Sequence, residues 1–319
     1  MSNLSGKLRR FHPWIAAAAF ALAAFLVHRA LQRYSMSEVL VSLQAISLRH
    51  LLLGAAFTTG SFICLTGYDT LAVRYSGRRL PYRKVALASF TALSIGHTLG
   101  FAALSSGAIR YRFYTGWGLS PGDVGRIVLF SAMTVALGMA TAGGIASLGQ
   151  PALVAQMLEV APAVVVAVGA LLLLAVAIYL ALAAFVHRPI RIRDFELPVP
   201  RLSVALGQIA VGASDFFLVS AVLHQMLSAT ADIGYFPVAA IYVAANAAAV
   251  LTHVPGGFGV IEAIVLSLVP GANVVGALVA FRALYYLVPF LIGCVVLAIA
   301  EIVRRQRRPV VAPRASGSI

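Results

Sequence analysis

The sequence predicts an all-α polytopic membrane protein, with about six full transmembrane helices and two re-entrant hairpins arranged as an inverted repeat. Three observations predict this. The chain is 61% apolar, with 11% charged residues and a mean hydropathy of +0.94, whereas soluble domains carry about a quarter charged residues. Its Lys and Arg side chains gather in short connections between long apolar runs. Two of those runs are interrupted at matching places by glycine, proline and charge.

Taken in order, residues 1–12 are basic (Lys7, Arg9, Arg10), and 13–27 form an apolar run closed by Arg29. This run reads as a retained first span. Its small residues also suit a signal peptide, but no cleavage site precedes the next helix. A second span covers 51–73, with Asp69 near its end, and Arg74, Arg78, Arg79, Arg83 and Lys84 follow. Residues 85–116 are apolar but broken by Gly96, His97, Gly100, Ser105, Ser106 and Gly107 before Arg110 and Arg112. This is the first hairpin. Spans at 124–148 and 160–186 flank a loop, 149–159, without Lys or Arg, and a basic connection from His187 through Arg193 comes next.

The span 202–223 carries Asp215, and the loop 225–235 again lacks Lys and Arg. The second hairpin lies in 236–271, and the last span, 274–303, ends in Arg304, Arg305, Arg307 and Arg308. The whole of 1–308 reads as one integral membrane domain. It comprises a first span and connection (1–50), repeat 1 (51–148), a linking span (160–201) and repeat 2 (202–303). Residues 309–319 are expected to be a disordered cytoplasmic tail.

The stretch 252–282 is the most informative. It holds Pro255, Gly256, Gly257, Gly259, Glu262, Pro270 and Arg282 within very apolar sequence. Backbone broken by proline and glycine leaves amides unpaired, and hydrocarbon offers no water to satisfy them. Such a segment belongs inside protein or along a cavity, and an ionisable residue there marks a functional site by default.

Gly107-Ala108-Ile109-Arg110 matches Gly259-Val260-Ile261-Glu262. A span with one aspartate precedes each, Asp69 or Asp215, and a long span with an early arginine follows each, Arg126 or Arg282. With both interrupted stretches entering and leaving on one side, the basic segments 1–12, 74–84, 110–126, 188–201 and the tail are all cytoplasmic. Only Arg29, Arg33 and Arg49 then lie outside. The positive-inside rule favours this arrangement. It places both termini in the cytoplasm and makes the repeats antiparallel, an architecture of alternating-access transporters. The net charge of +14 therefore speaks for topology and contact with anionic lipid rather than for nucleic acid.

The layout of residues 10–305 resembles the membrane domain of the lysylphosphatidylglycerol flippase/synthetases (the multiple peptide resistance factor family) and their stand-alone relatives. The resemblance rests on Gly67-Tyr68-Asp69, on Gly107-Ala108-Ile109-Arg110-Tyr111-Arg112, on Pro255 through Glu262, and on Arg282-Ala283-Leu284-Tyr285-Tyr286 with Pro289. It implies a bacterial inner-membrane protein that moves phospholipid, aminoacylated in that family, between leaflets. The full-length proteins of that family add a soluble synthetase after the membrane domain. The sequence ends at Ile319 without one, so synthetase activity is not expected, and a separately encoded synthetase or a homo-oligomer would be the protein partner.

The candidate substrate-binding residues are Asp69, Arg110, Arg112, Asp215, Glu262 and Arg282, with Gly107, Pro255, Gly256, Gly257 and Gly259 shaping the hairpin backbone. Arg110 and Arg282 suit phosphate, and the carboxylates suit a cationic or hydroxyl-bearing headgroup. Each has a plainer reading. Glu262 is either a ligand or a structural partner of Arg282 or Arg110, Asp69 a ligand or an interfacial ion pair, and Arg112 a phosphate ligand or a topology charge. The opposite signs of Arg110 and Glu262 predict that they meet each other or share one polar cavity, with Asp215 and Arg282 nearby. His97 and His253 read as packing histidines.

No HExxH, cysteine cluster or Walker motif is present, so neither metal, cofactor nor direct ATP use is expected. Cys64 and Cys294 both fall in apolar runs. Two aspartates in separate spans, with Pro151-Ala152-Leu153 between them, also fit an intramembrane aspartyl protease, but Ala213-Ser214-Asp215 lacks the GxGD setting of those enzymes. A transporter of polyprenyl-linked sugar or glycolipid, and a non-transporting accessory protein, complete the alternatives.

Overall fold

The computed structural model describes residues 44, 46–99, 102–186, 190–192, 195–197, 199–229, 232–252, 254–269 and 274–306. The expected first span at 13–27, Arg29, Arg33, His253, Pro270 and the tail at 309–319 lie outside the described residues. The described chain is helical apart from one small hairpin, the polytopic all-α fold that its hydropathy predicts.

Helix α1 (Leu48–Tyr75) leads to α2 (Tyr82–Leu99), α3 (Ala102–Gly116), α4 (Pro121–Gly149), the short α5 (Pro151–Met157) and α6 (Pro162–Phe185). After strands β1 (Ile190–Ile192) and β2 (Phe195–Leu197) come α7 (Leu202–Leu227), α8 (Tyr235–Thr252), a 3-10 turn (Pro255–Gly257) and α9 (Val260–Leu268). The last apolar stretch divides into α10 (Val274–Arg282), a π-helical segment (Ala283–Leu287) and α11 (Val288–Gln306).

Six helices are long and apolar enough to cross a membrane: Leu48–Tyr75, Pro121–Gly149, Pro162–Phe185, Leu202–Leu227, Tyr235–Thr252 and Val274–Arg304. Five are expected spans, their ends shifted by about a turn or less. The sixth, α8, was expected as the first leg of the second hairpin. Its 18 residues make about 27 Å of helix, close to the thickness of the hydrocarbon layer. The strands β1 and β2 were not expected. They pair antiparallel, Ile190 with Leu197 and Ile192 with Phe195, and alternating apolar and charged residues across 190–197 were their signal.

Local chemistry explains the element ends. Ser120 caps α4 by accepting from the Asp123 amide, while the Asp123 carboxylate accepts from the Ser120 amide. Pro121 occupies the first turn, where its missing N–H costs nothing. Asp123 also binds Arg78 at 3.0 Å, tying the 74–84 connection to the start of α4. Pro289 lacks the N–H that would reach the Tyr285 carbonyl one turn back, and a π-helical segment forms there.

Packing follows membrane rules, with small residues where helices cross. Gly54 of α1 faces Met226 of α7, Gly60 faces Leu218, Gly67 faces Val211, and Gly207 faces Leu71. As one number rises the other falls, so α1 and α7 run antiparallel along their length. Helices α4 and α7 touch backbone to backbone: a methyl group on Gly138 would sit 2.4 Å from the Gly212 carbonyl carbon. Helix α6 is apolar all round, and Leu171, Leu174, Ile178 and Phe185 are more than half exposed, as suits a lipid-facing span.

Candidate functional site

Both interrupted stretches fold back on themselves. Gly96 of α2 lies against Ser106 of α3, 2.9 Å from where a Cβ would stand, and Lys84 of α2 lies over Trp117 just past the end of α3, so these helices form an antiparallel pair. In the second stretch α8 packs on the half-length α9 through the turn at 255–259. Gly256, Gly257 and Gly259 adopt φ of 60°, 62° and 84° there. Side-chain-bearing residues rarely accept such angles, which is why three glycines occur in five residues.

Each fold-back is held by a buried ion pair. In the first, Arg110 of α3 donates from Nε and Nη2 to Asp69 of α1, at 2.9 Å to Oδ2 and 2.6 Å to Oδ1. Its Nη1 reaches Ser106 Oγ at 2.9 Å. Asp69 also accepts from Tyr114 Oη at 2.6 Å and from Ser131 Oγ at 3.3 Å. Asp69 is fully buried and Arg110 only 2% exposed, so both charges depend on each other.

In the second, Arg282 of α10 donates from Nε to Glu262 Oε1 at 2.6 Å and from Nη2 to Oε2 at 3.0 Å. It also reaches the carbonyls of Gly256 at 2.6 Å and Gly257 at 3.0 Å. Phe258 and Tyr286 each hold a ring 4.5 Å from the guanidinium. Glu262 Oε2 accepts from the Gly259 amide at 2.7 Å, capping α9. One arginine thus satisfies carbonyls that the break in the helix leaves without partners.

The expected meeting of Arg110 with Glu262 is therefore replaced by two separate pairs, one within 51–148 and one within 202–303. Asp69 lies on the helix before the first fold-back, and Arg282 on the helix after the second. Arg126, the sequence counterpart of Arg282, instead sits 3.9 Å from Asp123, three residues back along the exposed start of α4. Arg112 pairs with Glu301 of α11, because two residues of helix turn it well away from Arg110.

Between the fold-backs and the α1–α7 pair lies a cavity of about 500 Å³. Of the six candidate side chains, Arg110 and Asp215 line it; Asp69, Glu262, Arg282 and Arg112 do not. Gly256 and Gly257 form part of its wall, which connects Arg282 to it through their carbonyls. Val128, Val135 and Met139 of α4 supply an apolar side.

Asp215 accepts from Ser61 Oγ at Oδ1 and from Tyr68 Oη at Oδ2, the latter at 3.0 Å. Among the described residues no arginine, lysine or histidine bonds to it. Tyr242, Tyr285, Tyr286, His97 and Asn246 add to the polar lining, with Ser106 and Ser131. Sequence reasoning had named Tyr68, Tyr285 and Tyr286 only within the resemblance, and had missed Ser61, Tyr242 and Asn246. Ser61 and Tyr68 stand seven residues apart on one helix face, and tyrosines within spans seek hydroxyl partners; both signals were available. Asp69 and Asp215 share neither a hydrogen bond nor a common donor, so they do not form the carboxyl dyad that the protease alternative requires.

No family model matches the chain. It is 32% identical over 300 residues to the uncharacterized protein slr0712 of Synechocystis sp., across 92% of this chain and 93% of that protein. It is 29% identical over 247 residues to the inner membrane protein YbhN of Escherichia coli, across 76% of this chain and 77% of that protein.

Proposed function

This chain belongs to the family of slr0712, and on that premise we propose that it is an inner-membrane lipid translocase, moving a phospholipid between leaflets. The observation that carries the reading is the cavity, lined by a buried cation and a buried carboxyl group and bordered by α2, α3 and the glycine turn. Polar space of this kind inside an apolar bundle has one economical use, the passage of a polar group through the bilayer. Arg110 retains N–H groups beyond those bound to Asp69 and Ser106, and these suit a headgroup phosphate. Asp215 and the tyrosine hydroxyls suit the rest of the headgroup, aminoacylated or not, while the acyl chains stay in lipid.

The two hairpins enter from opposite leaflets, with both termini in the cytoplasm, and the antiparallel α1–α7 pair supports their relation as inverted repeats. The resemblance to the flippase domain and the similarity to an inner membrane protein support the same reading. One observation favours a second substrate class. Tyr68, Tyr242, Tyr285 and Tyr286 on one wall suit the faces and hydroxyls of a sugar, as in a glycolipid or a polyprenyl-linked sugar.

The test is lipid movement in proteoliposomes across a headgroup panel: phosphatidylglycerol, its lysyl derivative, a glycolipid and a polyprenyl phosphate sugar. Protein-dependent movement of one or more supports translocation and identifies the class. Equal rates with and without protein for all four would overturn it in favour of an accessory role.

A further inference from the structure

Among the described residues three carboxyl groups besides Asp123 are buried, and the bonds they make differ in kind. Asp69 and Glu262 each accept from a guanidinium. A guanidinium only donates and always carries its charge, so each of these groups has a cation for a partner. Asp215 accepts only from hydroxyl groups, and a hydroxyl both donates and accepts. Ser61 Oγ has a second neighbour, Tyr285 Oη at 3.2 Å, and either oxygen of that pair can be the donor.

Two hydrogen arrangements therefore fit one set of heavy-atom positions. In the first, Ser61 and Tyr68 both donate to an ionised Asp215. In the second, Asp215 carries a proton on Oδ1 and donates it to Ser61 Oγ, whose own hydrogen turns to Tyr285 Oη. The second holds one proton more than the first, and otherwise only hydroxyl hydrogens turn between them. Burial decides which arrangement holds in the resting protein. Asp215 is 7% exposed, and a carboxylate withdrawn from water without a cation is strongly disfavoured, so such a group takes up a proton instead.

The surrounding groups do not supply the missing cation. Helix α1 presents Cys64 and Tyr68, α8 presents Tyr242, and the π-helical segment presents Tyr285 and Tyr286. All five are neutral at neutral pH. Arg110 faces the same cavity but is committed to Asp69, and Arg282, at the end of α10, is committed to Glu262. Helix α4 faces the cavity with Ser131 and apolar residues. Tyr179 of α6 is bonded to Gln208, seven residues before Asp215 on α7. His97 of α2 lines the cavity and stacks on Tyr285 rather than on the carboxyl group.

We propose that Asp215 is a proton-binding site of the cavity, a neutral acid in the empty protein, whose hydroxyl relay through Ser61 and Tyr285 exchanges that proton with the cavity. The coupling of this proton to lipid movement rests on the translocase reading; the protonation state does not. The proton balance closes along the relay: Asp215 gives its proton to Ser61 Oγ, Ser61 gives its own to Tyr285 Oη, and Tyr285 releases its own to the cavity, so each hydroxyl keeps one O–H bond and Asp215 is left as the carboxylate.

Infrared difference spectroscopy between neutral and alkaline pH tests the site on the purified full-length protein. A protonated-carboxyl C=O band is expected at neutral pH, bleached by base and missing from Asp215→Asn. Ser61→Ala, which removes one relay oxygen and leaves the carboxyl group, should shift that band without abolishing it. A wild-type spectrum without the band, or an unchanged band in Asp215→Asn, overturns the proposal whatever the transport data say. Circular dichroism on the same Asp215→Asn sample separates loss of the band from loss of the fold.

In proteoliposomes, an imposed gradient of about one pH unit changes the ratio of protonated to ionised Asp215 about tenfold between the two faces. The wild-type rate should respond to that gradient, and the Asp215→Asn rate should not. Lipid movement indifferent to the gradient, with the band present, removes the coupling and leaves the proton site standing. The band without lipid movement of any kind counts against the translocase reading alone.

Discussion

Tyr68 donates its phenolic hydrogen to Asp215 across 3.0 Å, while its chain neighbour Asp69 takes the guanidinium of Arg110. Consecutive residues on a helix point about 100° apart, so one turn of α1 serves two carboxyl groups. One is an ion pair that closes a hairpin; the other faces the cavity with hydroxyl partners only. This division of labour leads to four predictions besides the proton site.

The ion pairs are expected to couple within repeats and not between them. Asp69→Asn leaves the Arg110 cation buried without compensation and should cost about 3–5 kcal/mol, as should Glu262→Gln for Arg282. In double-mutant cycles read by thermal unfolding in detergent, Asp69 with Arg110 and Glu262 with Arg282 should each show coupling on the order of 1–3 kcal/mol. Arg110 with Glu262 should be additive to within about 0.5 kcal/mol. A large Arg110–Glu262 coupling would contradict the geometry described above.

The glycine turn should resist any side chain. Gly256→Ala and Gly257→Ala place a Cβ on backbone at φ of 60° and 62°, which costs roughly 1–2 kcal/mol per residue. At Gly257 the new methyl also falls 2.9 Å from the Ala249 Cβ. Gly77, at φ of 75° with nothing nearby, provides a control in which only the backbone cost appears. A lower melting temperature for Gly257→Ala than for Gly77→Ala is the expected result.

Filling the cavity should stop transport without unfolding the protein. Ala132 and Ala136 line the cavity from α4, and both are exposed. Ala136→Trp adds a side chain that occupies a substantial part of about 500 Å³. The melting temperature should hold while protein-dependent lipid movement falls at least tenfold, a barrier increase of about 1.4 kcal/mol. Undiminished movement would place the lipid path elsewhere.

Side-specific labelling tests the topology. In a Cys64→Ala, Cys294→Ala background, single cysteines in 149–159 and 225–235 should react with an impermeant reagent added outside intact cells. Cysteines in 74–84 and 188–201 should not. Labelling of 188–201 from outside would reverse the relation between the two repeats.

Much of this organisation was legible in the amino-acid sequence. Hydropathy alone located α1, α4, α6, α7 and the final stretch, because a helix facing lipid must be apolar over its whole length. The breaks were legible too, since Gly256, Gly257 and Gly259 have no place in a lipid-exposed helix. So was the need of Asp69, Arg110, Asp215, Glu262 and Arg282 for polar partners, because a charge in such surroundings cannot be left to lipid.

Which partner each charge takes was decided only by the tertiary structure. Arg110 and Glu262 occupy matching places with opposite signs, and sequence order made them natural companions. Their actual partners are Asp69 and Arg282, since ion pairing falls steeply with distance and each of these lies beside its own fold-back. The structure also set Asp215 apart from Asp69. The two are alike in sequence setting, but only three-dimensional packing brings Ser61 and Tyr68 to one of them and a guanidinium to the other.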